Sequence, residues 1–439
     1  MSTPADPLHA LHLDEADVRG EMTRVFDTCK DCRRCVSLCA SFPTLFTMID
    51  HVADRDAGRL TPAQQNQVVG ACHQCSLCSI GCPYHGDRTG PEAAIDFPRL
   101  MLRAKAMMVA ADQVGTRDRL NTRVIARTDV VGAIATRFAP TANKLVGAKP
   151  GGVVRRIVTR ATGLSSSRPL PEFAEQRFST WFKRRPKVRI GKRQGKVALF
   201  PTCIVEYQQP AVGHDLVKVY ERNGVEVSLA DVGCCGAPWL HSGDIRRFAE
   251  VAEGNIEVLA AEIRKGSDIV VPQPTCGVVL KQAYLDHVPG SDAELVAEHT
   301  FDAAEYLMNM HRSSESRLDT TFDGTVPATI TYHAACHLRA QRVGLKSRDL
   351  LRLTGANIRV VQQCSGVDGI DGLRAKADHL AIPVSEKLAA EIRRLPSEVV
   401  AGDCHLSNLV IEATTGQTAH HPLQIIARAY GIAEEEPAR

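Results

Sequence analysis

Cys29-Lys-Asp-Cys32-Arg-Arg-Cys35-Val-Ser-Leu-Cys39 is repeated in plan by Cys72-His-Gln-Cys75-Ser-Leu-Cys78-Ser-Ile-Gly-Cys82-Pro83. Each run sets three cysteines at two-residue gaps and a fourth after three residues. A loop with that spacing wraps one face of an iron–sulfur cubane, and the fourth Cys of each run ligates the other cluster. The expected sets are therefore Cys29, Cys32, Cys35 with Cys82, and Cys72, Cys75, Cys78 with Cys39. Two [4Fe–4S] clusters imply one-electron transfer. Zinc sites take four ligands from two separated Cys pairs, so four cysteines packed into one short run, done twice, fit zinc poorly. Disulfides are disfavoured in a reducing cytosol, and the start of the chain lacks the basic and apolar regions of a secretory signal.

Working outward, 439 residues suggest two or three domains, and a hydrophobic fraction of 44% is ample for a core. No apolar run approaches the length that crosses a bilayer. The expectation is a cytoplasmic chain, soluble or peripheral to the inner face of the cell membrane. Net charge is +3, yet residues 99–196 hold 23 Lys and Arg against 5 Asp and Glu. This basic belt, with Arg155, Arg156 and Arg160 among its cations, suits an acidic protein partner or anionic lipid headgroups. A solvated face balanced by the acidic remainder of the chain is the plainer alternative. Nucleic acid is not expected, because the belt has few aromatics for base stacking.

Residues 1–28 read as a polar lead-in and a short helix. The spacer between the cysteine runs, with Phe42 and Phe46 placed to shield a cluster, suggests helices and hence an α-helical ferredoxin-like domain over 1–98. Residues 99–195 read as a basic helical linker. Its apolar residues recur at helical spacing as Leu100, Met101, Ala104, Met107, Met108 and as Val130, Val131, Ile134, Phe138, stripes that usually face a core. From residue 196 strands alternate with helices, the signature of parallel α/β units. Strands are expected over 196–201, 225–229, 268–271, 329–332, 358–361 and 399–401. The fold class is thus α + α/β, with half-domains over 196–312 and 325–430.

The remaining seven cysteines expose an internal repeat. Cys203, the pair Cys234-Cys235 and Cys276 each follow a strand in the first half, as Cys336, Cys364 and Cys404 do in the second. Groups at the carboxyl ends of parallel strands converge on a crevice. Cys203, Cys234, Cys235 and Cys276 should therefore surround one point and could hold a third iron–sulfur centre. Gly233 and Gly236 let the backbone approach closely there. The second half offers only three Cys, among His333, His337 and His405. Three readings stay open: a metal held by three Cys and a His, a substrate site with His337 or Arg339 as the catalytic donor to an oxygen, or an empty relic.

Gly233-Cys234-Cys235-Gly236, with Cys203 upstream and Pro274-Thr275-Cys276 downstream, resembles the CCG cysteine-rich domain. Tyr332-His333-Ala334-Ala335-Cys336-His337-Leu338-Arg339 with Gln341 resembles its second copy. Over residues 20–430 the order of motifs is similar to the CCG-domain Fe–S oxidoreductases. That family takes in the C component of anaerobic glycerol-3-phosphate dehydrogenase and the D component of heterodisulfide reductase. The resemblance implies an electron-transfer role within a complex. A flavoprotein dehydrogenase feeds the cubanes, and the cysteine-rich region passes electrons towards quinone or a disulfide. It also admits a thiol–disulfide reductase, or a redox sensor tied to peroxide defence. The chain departs from the family at Ala40, where ferredoxins have Pro. Gln273, Ser365 and Ser407 stand where full copies have Cys, which weakens the case for noncubane clusters. No flavin or NAD fingerprint is visible. Gly366-x2-Gly369-x2-Gly372 has the wrong spacing for a dinucleotide loop and suits a turn after Cys364. Hydride chemistry is expected on another chain.

Overall fold

The computed structural model describes residues 7, 9–86, 88–90, 93–186, 188, 190–367 and 371–432. The lead-in helix runs over Glu15–Cys32, longer than the short helix expected, and carries the first two cluster cysteines on its last turn. Asp14 caps it, accepting from the Asp17 N–H at 2.9 Å. Val18, Met22, Val25 and Phe26 form its buried stripe. Helices Ser41–Asp50, Pro62–Gly70 and Phe97–Ala110 close over that stripe. Phe42 and Phe46 lie in this core, and the Phe42 and Phe97 rings sit 4.6 Å apart. Cys72 belongs to the same apolar cluster, and Cys29, Cys35, Cys39 and Cys78 pack against it. The buried Arg103 ties the lead-in down, pairing with Asp17 at 2.6 Å and donating to the carbonyls of Leu11 and His12.

Two four-stranded sheets follow, each parallel throughout. Strands β1 (Gly195–Leu199), β2 (Val225–Leu229), β3 (Asp268–Val271) and β4 (Thr300–Asp302) take the order β2-β1-β3-β4. Strands β5 (Thr329–His333), β6 (Asn357–Val361), β7 (Val399–Gly402) and β8 (Ala419–His420) repeat it as β6-β5-β7-β8. β1 stops at Leu199, short of the expected 201, because Thr202 takes a left-handed φ of 56° and opens the helix Thr202–Tyr207. β4 and β8 escape sequence reading because three and two residues are too few to show a period. One apolar cluster contains Leu199, Leu216 and Tyr220 from the first half and Ile330, Tyr332 and Ile426 from the second. The halves therefore share a core.

The middle segment corrects two expectations. Leu100, Met101, Ala104 and Met107 are core, but Val130, Ile134 and Phe138 are 54%, 59% and 58% exposed. The helix Thr128–Arg137 instead packs by its Gly132 and Thr136 side. A Cβ at Gly132 would lie 2.4 Å from the Tyr207 ring, so close approach claims that face and turns the apolar stripe outward. Arg155 is not a surface cation. It is 1% exposed and donates to the carbonyls of Val146, Ser165 and Arg168. Arg156 and Arg160 are exposed. Part of the belt's charge is thus turned inside, holding loops together. The turn after Cys364 is held likewise, by Arg168 donating to Gly366 and Gly372 at 2.9 Å; Gly369 lies outside the described residues.

Candidate iron–sulfur sites

None of the fifteen cysteines is in a disulfide. Arg33, at φ 48°, ends the first helix with its N–H on the Cys29 carbonyl at 3.0 Å and turns the chain towards Cys35. Burial and the sulfurs of Cys35, Cys82 and Cys32 push Cys29 up to about 12. Burial, then Cys82 and Cys32, push Cys35 up to about 11. In the second set, burial and Cys72 push Cys39 up to about 12. Burial, Cys72 and Cys39 push Cys78 well above the usual thiol range. Sulfurs thus act on one another among Cys29, Cys32, Cys35 and Cys82 and among Cys39, Cys72 and Cys78, and Cys35 acts on Cys78 as well. Cys75 lies buried in the loop between Cys72 and Cys78. Left-handed φ values at Gln74 (60°) and Ser76 (55°) curl that loop, and the Gln74 amide donates to the Cys72 sulfur at 3.5 Å. Crowded thiols under an apolar core are costly to ionise without a cation, so the donor set suits iron, whose charge removes that cost.

The second constellation stands at the carboxyl ends of the first sheet. Cys203 follows β1, Cys234 and Cys235 follow β2, and Cys276 follows β3. Their sulfurs stand close enough to shift one another's ionisation, Cys203 beside Cys234, Cys234 beside Cys235 and Cys235 beside Cys276. The neighbouring thiols of Cys203 and Cys235, with the Gly236 N–H, pull Cys234 well below the usual thiol range. Cys203 and Cys235 are pushed up correspondingly. Gly236 has φ 89°, and a Cβ there would lie 2.8 Å from Phe248, so the tight turn after the Cys pair needs glycine. Three residues invisible to sequence reasoning hold this loop. Asp129 accepts from the Cys234 N–H at 3.1 Å. Asn255 donates to the Cys234 carbonyl at 2.9 Å, and Tyr284 to the Cys235 carbonyl at 3.1 Å. None sits near the motif in sequence, and no local pattern marks them. The four thiols border a cavity of about 200 Å³.

The second half is arranged differently. Ser365 and Ser407 hydrogen-bond to each other at 2.9 Å, both buried. Cys364 lies beside Cys39 of the cluster loop, and the two border one small cavity. Cys404 faces the first-half cavity. The helix Cys336–Ala340 packs against helices Leu77–Ile80 and Pro274–Val278. His337, on that helix, spans the gap between the two constellations. Its Nε2 donates to the Gln74 carbonyl at 3.1 Å, and its Nδ1 accepts from the Thr275 hydroxyl at 2.8 Å. Burial lowers its pKa and keeps it neutral. Both ring nitrogens are engaged within the protein, so it does not present a donor to a substrate oxygen. Arg339 donates to the Gln362 carbonyl at 3.1 Å. His333 is buried and His405 half-buried, and desolvation lowers each to about 4.

Residues 28–87 match the 4Fe-4S dicluster domain, and residues 197–281 match the cysteine-rich domain. With both, the chain is an iron–sulfur protein of electron transport in the oxidoreductase class. It is homologous to the C component of anaerobic glycerol-3-phosphate dehydrogenase of Escherichia coli, 26% identical over 82% of this chain and 98% of the relative. It also matches the B component of the CoM/CoB fumarate reductase of Methanothermobacter marburgensis, at 29% over 51% of this chain and 43% of the relative. Lactate utilization protein A of Bacillus pumilus is 28% identical over 45% of this chain and 80% of that protein.

Proposed function

We propose that the chain relays single electrons from a flavoprotein dehydrogenase partner, through two [4Fe–4S] clusters, to a centre in the cysteine-rich region and on to quinone or another acceptor. Cys29, Cys32, Cys35 and Cys82 would hold one cluster, and Cys72, Cys75, Cys78 and Cys39 the other. Cys203, Cys234, Cys235 and Cys276 would hold the third centre. When bound, such clusters supply one-electron carriers whose potential follows burial and hydrogen bonds to sulfur. The units assigned these roles are residues 1–98, 99–195, 196–312 and 325–430.

The observation that carries the reading is His337. It joins Gln74, between Cys72 and Cys75, to Thr275, next to Cys276, through two hydrogen bonds on one side chain. Lys105 adds a second tie, donating to the Cys72 carbonyl at 3.0 Å and to the His241 carbonyl at 3.2 Å. The ligand loops are thus held as one rigid unit.

Among the described residues no helix is long and apolar enough to cross a membrane. Contact with a bilayer would instead use the middle helices. Leu120, Ile134, Phe138, Leu145, Val153 and Ile157 are each 48–65% exposed. Exposed Arg123, Arg127, Arg137, Lys144, Arg156 and Arg160 accompany them. Apolar side chains ringed by cations suit the interface of an anionic bilayer, and exposed apolar surface on this scale calls for a partner.

The test is anaerobic reconstitution of the full chain, followed by reduction with a co-purified flavoprotein. A reduced-cluster signal should appear with the flavoprotein and its substrate. Reduction of the chain alone by NADH would contradict the need for a partner. A second reading, thiol–disulfide reduction at the same cavity, is supported by Cys234, which the surrounding donors hold towards the thiolate. Turnover of a disulfide by the isolated chain with an artificial reductant would favour it.

A further inference from the structure

Gln273 and Cys404 occupy one place in the repeat. Gln273 caps the helix Pro274–Val278 just after β3, and Cys404 caps the helix His405–Thr415 just after β7. Three residues on, Cys276 corresponds to Ser407. The Ser365–Ser407 contact accordingly repeats, with oxygen in place of sulfur, the Cys235–Cys276 contact of the first half. The two capping residues nevertheless face the same space. The cavity bordered by Cys203, Cys234, Cys235, Cys276 and Gln273 is closed from the second half by Leu373, Cys404 and Leu406. Five sulfurs from two half-domains border it, and its remaining wall is largely apolar.

We propose that Cys404 is the fifth thiol of this centre, supplied across the repeat in place of the sulfur missing at Gln273. The inference rests on the reading of the first-half cavity as an iron–sulfur site. A neutral amide is a poor ligand for iron–sulfide, whereas a thiolate is the ordinary one. Binding would release the thiol proton, as every such ligation does. The second half then serves the site without holding a cluster of its own: Ser365 and Ser407 pair with each other, and the Cys404 thiol is given to the neighbour. The centre would bridge the halves, so loading would lock one against the other.

The experiment is iron and sulfide analysis with EPR on the full chain, reconstituted anaerobically, as wild type, Cys404→Ala, Cys404→Ser and the double variant Cys404→Ala with Gln273→Cys. The wild type should hold about twelve irons, four for each of three clusters. Cys404→Ala should keep the signals of the two cubanes and lose or alter the third. Cys404→Ser, which keeps the size of the side chain and its bond to Ser407, guards against misfolding and should shift the third signal. Gln273→Cys, at the equivalent position, should restore it. A third signal unchanged in both Cys404 variants overturns the assignment of Cys404 and leaves the third centre standing. A wild type that holds only about eight irons overturns both.

Discussion

Replacing His337 by Phe keeps a ring in the same space and deletes both hydrogen bonds between the cluster loop and the Cys276 loop. Each such bond contributes about 0.5–1.5 kcal/mol net, and a buried polar group left without a partner costs about 1–3 kcal/mol. Gln74, whose carbonyl would lose its donor, is 8% exposed, whereas Thr275 is only half-buried and can reach water. The penalty therefore falls mainly on one carbonyl, and the total should be about 2–4 kcal/mol. Thr275→Val removes one of the same bonds from the other side. Urea unfolding of the single and double variants, followed by near-ultraviolet dichroism at constant m, measures the coupling. It should be about 1 kcal/mol, because both substitutions delete one shared contact. Stopped-flow reduction should show slower electron arrival at the cysteine cavity in His337→Phe, with the cubanes still loaded. A stability change under about 0.5 kcal/mol, or strict additivity with Thr275→Val, would refute the bridge.

Arg155→Met should destabilise the middle segment by about 3–5 kcal/mol, since it strips a buried cation from three carbonyls; a shift under about 1 kcal/mol in urea unfolding would count against it. Ile134→Asp with Phe138→Asp should abolish sedimentation with anionic vesicles while leaving the thermal midpoint within a degree or two, and retained binding would reject the bilayer contact. Burial and the nearby Asp403 push Asp302 up to about 7. The unfolded value is about 3.9, so the folded chain keeps a proton that the unfolded chain has lost, and stability falls as pH rises from about 4 to 7. Asp302→Asn keeps an oxygen for the Ala304 N–H and should raise the midpoint more at pH 8 than at pH 4; equal shifts would exclude that linkage.

Reading the chain reached the clusters further than their surroundings. Cysteine spacing within one loop is local, so the two N-terminal runs were legible, and the shared place of Cys203, Cys234, Cys235 and Cys276 after strands made those four legible as a group. The repeat was legible too, because strand and helix periods are local; Val225–Leu229, Ile245–Arg264 and Asp268–Val271 stand at the expected residues. What escaped depends on packing between distant segments. The stripe of Val130, Ile134 and Phe138 has the period of a core face, but a glycine on the opposite side, pressed on Tyr207, decided which way it turned. Arg155 sits in a run of cations that reads as surface, and only the three carbonyls converging on it explain its burial. Cys404 reads as a ligand of its own half, because linear spacing cannot reveal a cavity shared with the neighbouring one.

The apolar cluster common to both sheets has a consequence for how such a chain can be cut. A fragment ending near residue 312 would leave Leu199, Leu216 and Tyr220 facing water in place of Ile330, Tyr332 and Ile426. Either copy expressed alone should therefore be less soluble than the fused pair, and the soluble fractions of the two fragments and the full chain would check it.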